Sequence, residues 1–525
     1  MERRNLIALF LCLILICLKS SVMLYGATKF NIISFGANPN GKTINTLIIQ
    51  KVIDSAYANG GGTVVIPKGI FLSGSLHLKS KVNIYLEQGA VLLGSTKRTD
   101  YESRDYTAFV IARDADSITI SGKGVIDGNG RELVKDIYRM IDAGLLKDPY
   151  YPKESSRPEE RNRPELLQFQ RCRNLIIKGI TLKSAACWVN TYQDCVGVII
   201  DSMTVESTAF WNNDGIDITD SKNVQVTNCK INSADDGICL KSVNQNSCCD
   251  NIIIENCIIR SSANALKFGT ASSGGFKNIR AKKLYIYDTY RSAIALEQVD
   301  GGILENIDIS DVIAKNTGNA IFIKLGNRNR DNTKQEPGTI RNIHISNIKV
   351  EIPINAPDSG YEMAGPKVME PHNLIPSSIV GLPNNIIQNI TIENVEIQFA
   401  GGAKKECAYI PLTALDSIPE RPKNYPEFSM LGELPAWGFY IRHANGIKFK
   451  NISFLLKSPD FRPTMVFDDV NNLEIESVII KPKQVNVPII LNNTHNAEIK
   501  NINAFGSFNH LVMQQNKSSD IKLSQ

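Results

Sequence analysis

Apolar and polar residues alternate in short bursts along most of this chain, and the bursts recur. From about residue 115 the phrases ADSITISGKGVIDG, CRNLIIKGITLKS, CVGVIIDSMTVES, SKNVQVTNCKINS and CDNIIIENCIIRS follow one another, and FKNIRAKKLYIYD, LENIDISDVIAKN, IRNIHISNIKVEI and IQNITIENVEIQF renew the rhythm. Strict alternation marks strands with one buried face. β-branched residues with Asn at the turns, at periods of 20 to 30 residues, mark a stack of coils. Ser184, Ser207, Ser233 and Ser261 close four of the phrases and stand 23, 26 and 28 positions apart. One coil cannot bury its own apolar face, so the coils must share one continuous core. The predicted fold is all-β, a right-handed parallel β-helix, since crossovers between parallel strands wind right-handed. A helical pattern from about Asn45 to Asn59 is expected to cap its open N-terminal end.

The pattern predicts a single solenoid over residues 28–525, interrupted near 132–164 and 353–384. The first interruption holds a short helix-like piece and a charged, Pro-rich tail, and the second is rich in Pro, Gly and Asn. Such insertions emerge as loops on one face, often the binding face, where they can wall off a groove. Residues 1–27 read as a signal peptide, with Arg3 and Arg4 ahead of an apolar run from Leu6 to Leu18 that is short for a membrane span. Leu11 and Ile16, before Cys12 and Cys17, are bulky where a lipidation signal wants a small residue. The expectation is an exported protein, periplasmic or extracellular, with no stable membrane span and a monomeric state.

Composition narrows the function classes. A net charge of +5 over 525 residues, with acids and bases interspersed, gives no nucleic-acid stripe. Nine cysteines follow residue 27, an odd number, and several recur in step with the repeat as small core fillers with disulfides open to a minority. No zinc spacing accompanies them.

The chemistry concentrates in two neighbouring phrases, WNNDGIDITD from Trp211 and SADDGICLKS from Ser233. Aligning coils stacks Asp214, Asp236, Asn264, Ser292 and Asn319 in one column, with Trp188 one coil before Asp214. At the sheet spacing of about 4.8 Å, Asp214 and Asp236 lie side by side and Asp235 is next along the chain. Carboxylates that close repel, so one of them holds its proton tightly, which is how a general acid is made. Asp-Gly is also ordinary turn chemistry. A calcium site from Asp214, Asp217 and Asp220 is the further alternative, disfavoured because alternation points those side chains in different directions.

These motifs, together with the entry FGANPNGKTINTLIIQKVIDSAYANGGGTVVIPKGIF and the phrase GKGVIDGNG, resemble glycoside hydrolase family 28, the polygalacturonase and rhamnogalacturonase group. The resemblance implies a right-handed parallel β-helix that hydrolyses pectic polysaccharide or oligosaccharide with inversion, without metal or other cofactor. It implies Asp235 as general acid and Asp214 and Asp236 as the residues that activate water. Two departures stand out. Asn264 occupies the place of the family's Gly-His-Gly histidine, and Ala295 to Glu297 replace its Arg-Ile-Lys. A substrate other than plain homogalacturonan follows as the expectation, rhamnogalacturonan or a modified pectin. Asn213, Asn264, Lys267, Glu297 and Lys324 are the expected substrate contacts, with Arg328 and Arg330 as further substitute cations. His372, Tyr440, Arg442 and His443 are late residues within possible reach of the groove. A β-helix polysaccharide lyase and a non-catalytic carbohydrate-binding β-helix are the competing functions.

Overall fold

The computed structural model describes residues 28–153, 157–330, 336–355, 357, 375–402, 412–481, 487–506 and 509–524. Its strands, from Lys29–Asn31 to Ser519–Ser524, form one right-handed stack in which each pairs in parallel with the strand a coil away. The periodicity dictates this register. Ile216 pairs with Ile238, Ile238 with Leu266, Leu266 with Ile294 and Ile294 with Ile321, all fully buried. Apolar side chains thus form ladders inside the coil, and the intervening residues of the same strands face outward.

The N-terminal helix forms as expected, over Thr46–Ala58, burying Ile49, Val52, Ile53 and Ala56 against the first coils. The first insertion contains the helix Gly130–Asp142, which buries Leu133, Val134 and Ile137. Its tail is tied down at Arg163, which donates to the carbonyls of Ala186 (3.0 Å) and Trp211 (2.7 Å) and to Asn212 Oδ1 (2.6 Å). The insertion therefore braces the turn that carries Asp214. In the second, residues 356 and 358–374, with His372, lie outside the described residues. Regular structure resumes inside the predicted boundary, because Ser377–Val380 is a strand of the stack. A third excursion, between the strands Ile387–Phe399 and Phe439–Leu456, was not signalled by the repeat; of it, residues 412–437 are described below.

Asparagines with left-handed backbone hold the turns in line. Asn347, Asn394 and Asn451 have φ of 56°, 55° and 54°. Each donates from Nδ2 to the coil before it, Asn394 to Asn347 (3.2 Å) and Asn451 to Asn394 (3.0 Å). Asn tolerates this conformation where other side chains are strained, and its amide can donate to one coil and accept from the next. The Asn-x-Ser/Thr triplets at Asn389 and Asn451 belong to these ladders.

Eight described cysteines carry free thiols, and all but Cys248 are buried. Cys172 and Cys195 occupy neighbouring coils, as do Cys229 and Cys257. Residues 1–27 and Cys407 lie outside the described residues, among which no helix is long and apolar enough to cross a membrane.

The ladder makes a measurable prediction. Asn394→Ala removes both inter-coil bonds and leaves a Cβ-bearing residue in left-handed backbone, at a cost of about 1–2 kcal/mol. Asn394→Gly keeps the conformation and should lose less; chemical-denaturation midpoints of the two variants distinguish them.

Candidate active site

The strand Ile216–Thr219 follows a turn fixed by Asn213. Asn213 is fully buried; its Oδ1 accepts from Ser207 Oγ (2.8 Å), and its Nδ2 donates to the carbonyls of Ala185 (3.1 Å) and Cys187 (2.9 Å). Its amide is spent on folding the turn. This corrects the expectation that Asn213 contacts substrate. The next coil repeats the turn with Asp235 and Asp236, and the backbone amides of Gly215 and Gly237 donate to the carbonyls of Asp236 and Asn264, both at 2.8 Å. The glycines are required by close approach. A Cβ on Gly215 would lie 2.5 Å from Gly237 O, and one on Gly237 would lie 2.5 Å from Ile259 Cγ2.

The register brings Asp214 and Asp236 together as the repeat predicted. Their carboxylates and Cys239 Sγ lie within 4.8 Å of one another. Two lysines hold this pair. Lys241 Nζ sits 2.9 Å from Asp214 Oδ2 and 2.9 Å from Asp217 Oδ2, and Lys267 Nζ sits 3.0 Å from Asp236 Oδ2. Asn264 supports Asp236 from the following coil, donating to its Oδ1 from the backbone (3.0 Å) and from Nδ2 (2.9 Å). Ammonium groups thus already neutralise the oxygens a cation would seek. Asp220 serves elsewhere, accepting from Ser242 Oγ (2.6 Å) and from the amides of Val243 and Asn244. The calcium alternative thus has Asp214 and Asp217 sharing Lys241 and Asp220 in a separate network.

The three carboxyls differ in proton affinity, for identifiable reasons. Desolvation, then the charges of Asp214 and Asp236, push Asp235 up to about 7 against the pull of Arg291 and Lys267. Burial also raises Asp236, but Lys267, Arg291 and the Asn264 hydrogen bonds outweigh it and leave this carboxyl below its ordinary range. Burial raises Asp214, offset in part by Lys241. One proton-holding acid therefore stands beside one firmly ionised carboxylate.

Several members of this network were not anticipated. Lys241 lies on the outward face of the strand Ile238–Ser242, which follows the turn carrying Asp236; its side chain is 21% exposed, with Nζ 4.9 Å from the centroid of Trp188. Trp188 is partly buried and lies parallel to Tyr106 at 6.2 Å between centroids. Arg291 sits two coils beyond Asp235 in one column and pairs with Glu427. Tyr425 Oη accepts from Lys267 Nζ at 3.2 Å. Strand alternation and register could have found Lys241 and Arg291. Tyr425 and Glu427 arrive from a segment with no place in the repeat.

Glu297 is buried 3.9 Å from Lys267, and desolvation pushes its carboxyl up to about 8. Lys324 is not brought to the carboxylates. It is fully buried, its Nζ has no hydrogen-bond partner among the described residues, and burial lowers it to about 8 beside Glu420 and Arg442. Arg328 pairs with Asp300, and the Arg330 amide donates to the same carboxylate. His443 is buried between Asp469 (2.6 Å) and Glu420 (3.0 Å), and Tyr440 donates to Asp468 (3.2 Å).

Comparison with known proteins agrees with this architecture. The pattern described as Glycosyl hydrolases family 28 matches residues 58–416. A "Probable polygalacturonase" of Vitis vinifera is 23% identical over 442 residues, 77% of this chain and 80% of the relative. An "Exopolygalacturonase" of Zea mays is 25% identical, with 70% of this chain and 76% of the relative covered. Among solved structures, the hyperthermoactive exopolygalacturonase of Thermotoga maritima superposes with a TM-score of 0.55 at 23% identity, over 71% of this chain and 87% of that one. That likeness concerns the fold.

Lys241 is the cation on which Asp214 and Asp217 both depend. Burial raises both carboxyls, Asp217 well above its ordinary range, against the pull of Lys241. Lys241→Met removes that pull and should destabilise the protein by about 3–5 kcal/mol at alkaline pH, where both are driven to ionise, read from denaturation midpoints. The loss should shrink in acid, where both groups are protonated.

Proposed function

The chain belongs to glycoside hydrolase family 28, and from that premise we propose that it hydrolyses glycosidic bonds in a pectic polysaccharide, rhamnogalacturonan or another modified pectin, with inversion. The observation that carries this reading is the pairing of a proton-holding Asp235 with the ionised Asp236 beside Asp214. Asp235 donates its proton to the glycosidic oxygen as the bond to the anomeric carbon breaks and its electron pair stays with that oxygen. A water held between Asp214 and Asp236 attacks the anomeric carbon from the opposite face, and Asp236 takes the proton it sheds. The leaving sugar gains a hydroxyl, the other gains the water oxygen, and the configuration inverts.

The substrate preference rests on what surrounds this centre. Asn264 in the place of the family histidine is committed to Asp236 and to the Ser292 amide (3.1 Å). Lys267 is committed to Asp236 and Tyr425, and the buried Glu297 stands beside it where the family has a cation. A uronate carboxylate at that position finds a carboxyl that keeps its proton up to about 8 and a lysine already paired with Asp236, so it gains no free cation, which favours a neutral sugar there. Trp188, at the open rim, offers a ring face to a sugar. We place the enzyme outside the cytoplasm on the pattern of residues 1–27.

The test is hydrolysis of a panel of pectic fragments, including rhamnogalacturonan and homogalacturonan, with the product anomer followed by NMR as it forms. The inverted anomer from rhamnogalacturonan supports the reading. An unsaturated, ultraviolet-absorbing product or a retained configuration sinks the mechanism. Asp235→Asn should lower turnover by about 10²–10⁴-fold. Because the acid works protonated, wild-type turnover should fall as pH rises through about 7, where Asp235 ionises.

A further inference from the structure

The outward face of the strand column changes character on the C-terminal side of the carboxylates. Thr191, Asp217, Cys239 and Lys267 succeed one another at one outward position on consecutive coils. Continuing along the same row come Ala295, Phe322, Ser378, Tyr440, Val466 and Ile490. A floor for a hydrated glycan has no need of such apolar side chains, and these are covered. Leu415, Ile418, Phe428, Leu431 and Leu434, from residues 412–437, pack on Phe322, Tyr440, Val466 and Ile490 as a second apolar core outside the barrel. This is why Lys324 is fully buried while Lys241, three coils back in its row, is 21% exposed.

The segment does not stop short of the catalytic centre. Glu427 pairs with Arg291, Tyr425 meets Lys267, and the carbonyl of Pro422 accepts from the Asn327 amide at 2.7 Å. Lys267 is one coil beyond Cys239, so this wall begins about 5 Å past the carboxylates. On the other side Trp188, Lys241 and Tyr106 keep solvent exposure, Tyr106 at 46%. Most of the segment lies beyond residue 416, where the family match ends.

We propose that residues 412–437 close the substrate groove about one sugar beyond the scissile bond, so that the site takes the end of a glycan chain and not its interior. This rests on the hydrolase reading for its chemistry, but the wall itself is a matter of binding. Two measurements on the full chain test it. With rhamnogalacturonan, reducing ends should accumulate with little loss of viscosity and with short products from the outset; an early collapse in viscosity with mid-sized fragments overturns the proposal. With the Asp235→Asn variant, calorimetric titration compares oligosaccharides carrying a bulky fluorophore at the reducing or at the non-reducing end. One tag should weaken binding at least tenfold while the other leaves it near that of the untagged sugar. Equal binding of both overturns the wall, whatever happens to turnover. An asymmetric result without any cleavage upholds the wall and sinks the hydrolase reading alone, whereas no binding of any pectic oligosaccharide sinks both.

Discussion

Parallel hydrogen bonding between coils is the constraint on which everything else here depends. It sets successive coils about 4.8 Å apart and forbids a slip of one residue, since a slip would turn each apolar ladder out to solvent. The register from Ile216 through Ile238, Leu266, Ile294 and Ile321 is therefore also the register of Asp214, Asp236, Asn264 and Ser292. Residues far apart in the chain become neighbours in a column without any special local structure.

That enforced proximity creates an electrostatic problem which the same stack resolves. Asp214, Asp217, Asp235 and Asp236 crowd onto two coils, and the cations that stabilise them come from strand positions on the same or following coils: Lys241, Lys267 and Arg291. The pairing is unequal. Lys267 and the Asn264 amides are aimed at Asp236, Lys241 is aimed at Asp214 and Asp217, and Asp235 is left with the more distant Arg291. Unequal compensation of like charges separates their proton affinities, and that separation distinguishes an acid from a base in one small site.

Much of this was legible in the sequence because it is periodic. The solenoid, the capping helix, the asparagine ladders and the column holding Asp214 and Asp236 all follow from alternation and spacing. Asn213 was misjudged because its sequence neighbourhood is that of the carboxylates, while its amide is consumed by carbonyls of the preceding coil. Lys324 was misjudged because register shows which row a residue occupies and not what covers the row. Tyr425 and Glu427 were invisible for a third reason. They lie some 190 residues from Asp235 on an aperiodic segment, placed by an apolar patch on the outside of the barrel that no repeat encodes.

The cysteines carry a consequence for how the stack is fixed. Eight thiols sit in or beside the stack, and the described coils are held by hydrogen bonds and apolar contact without a sulfur–sulfur bond. Among the described residues the register of the coils is therefore set without sulfur chemistry, and the buried thiols add apolar filling rather than cross-links.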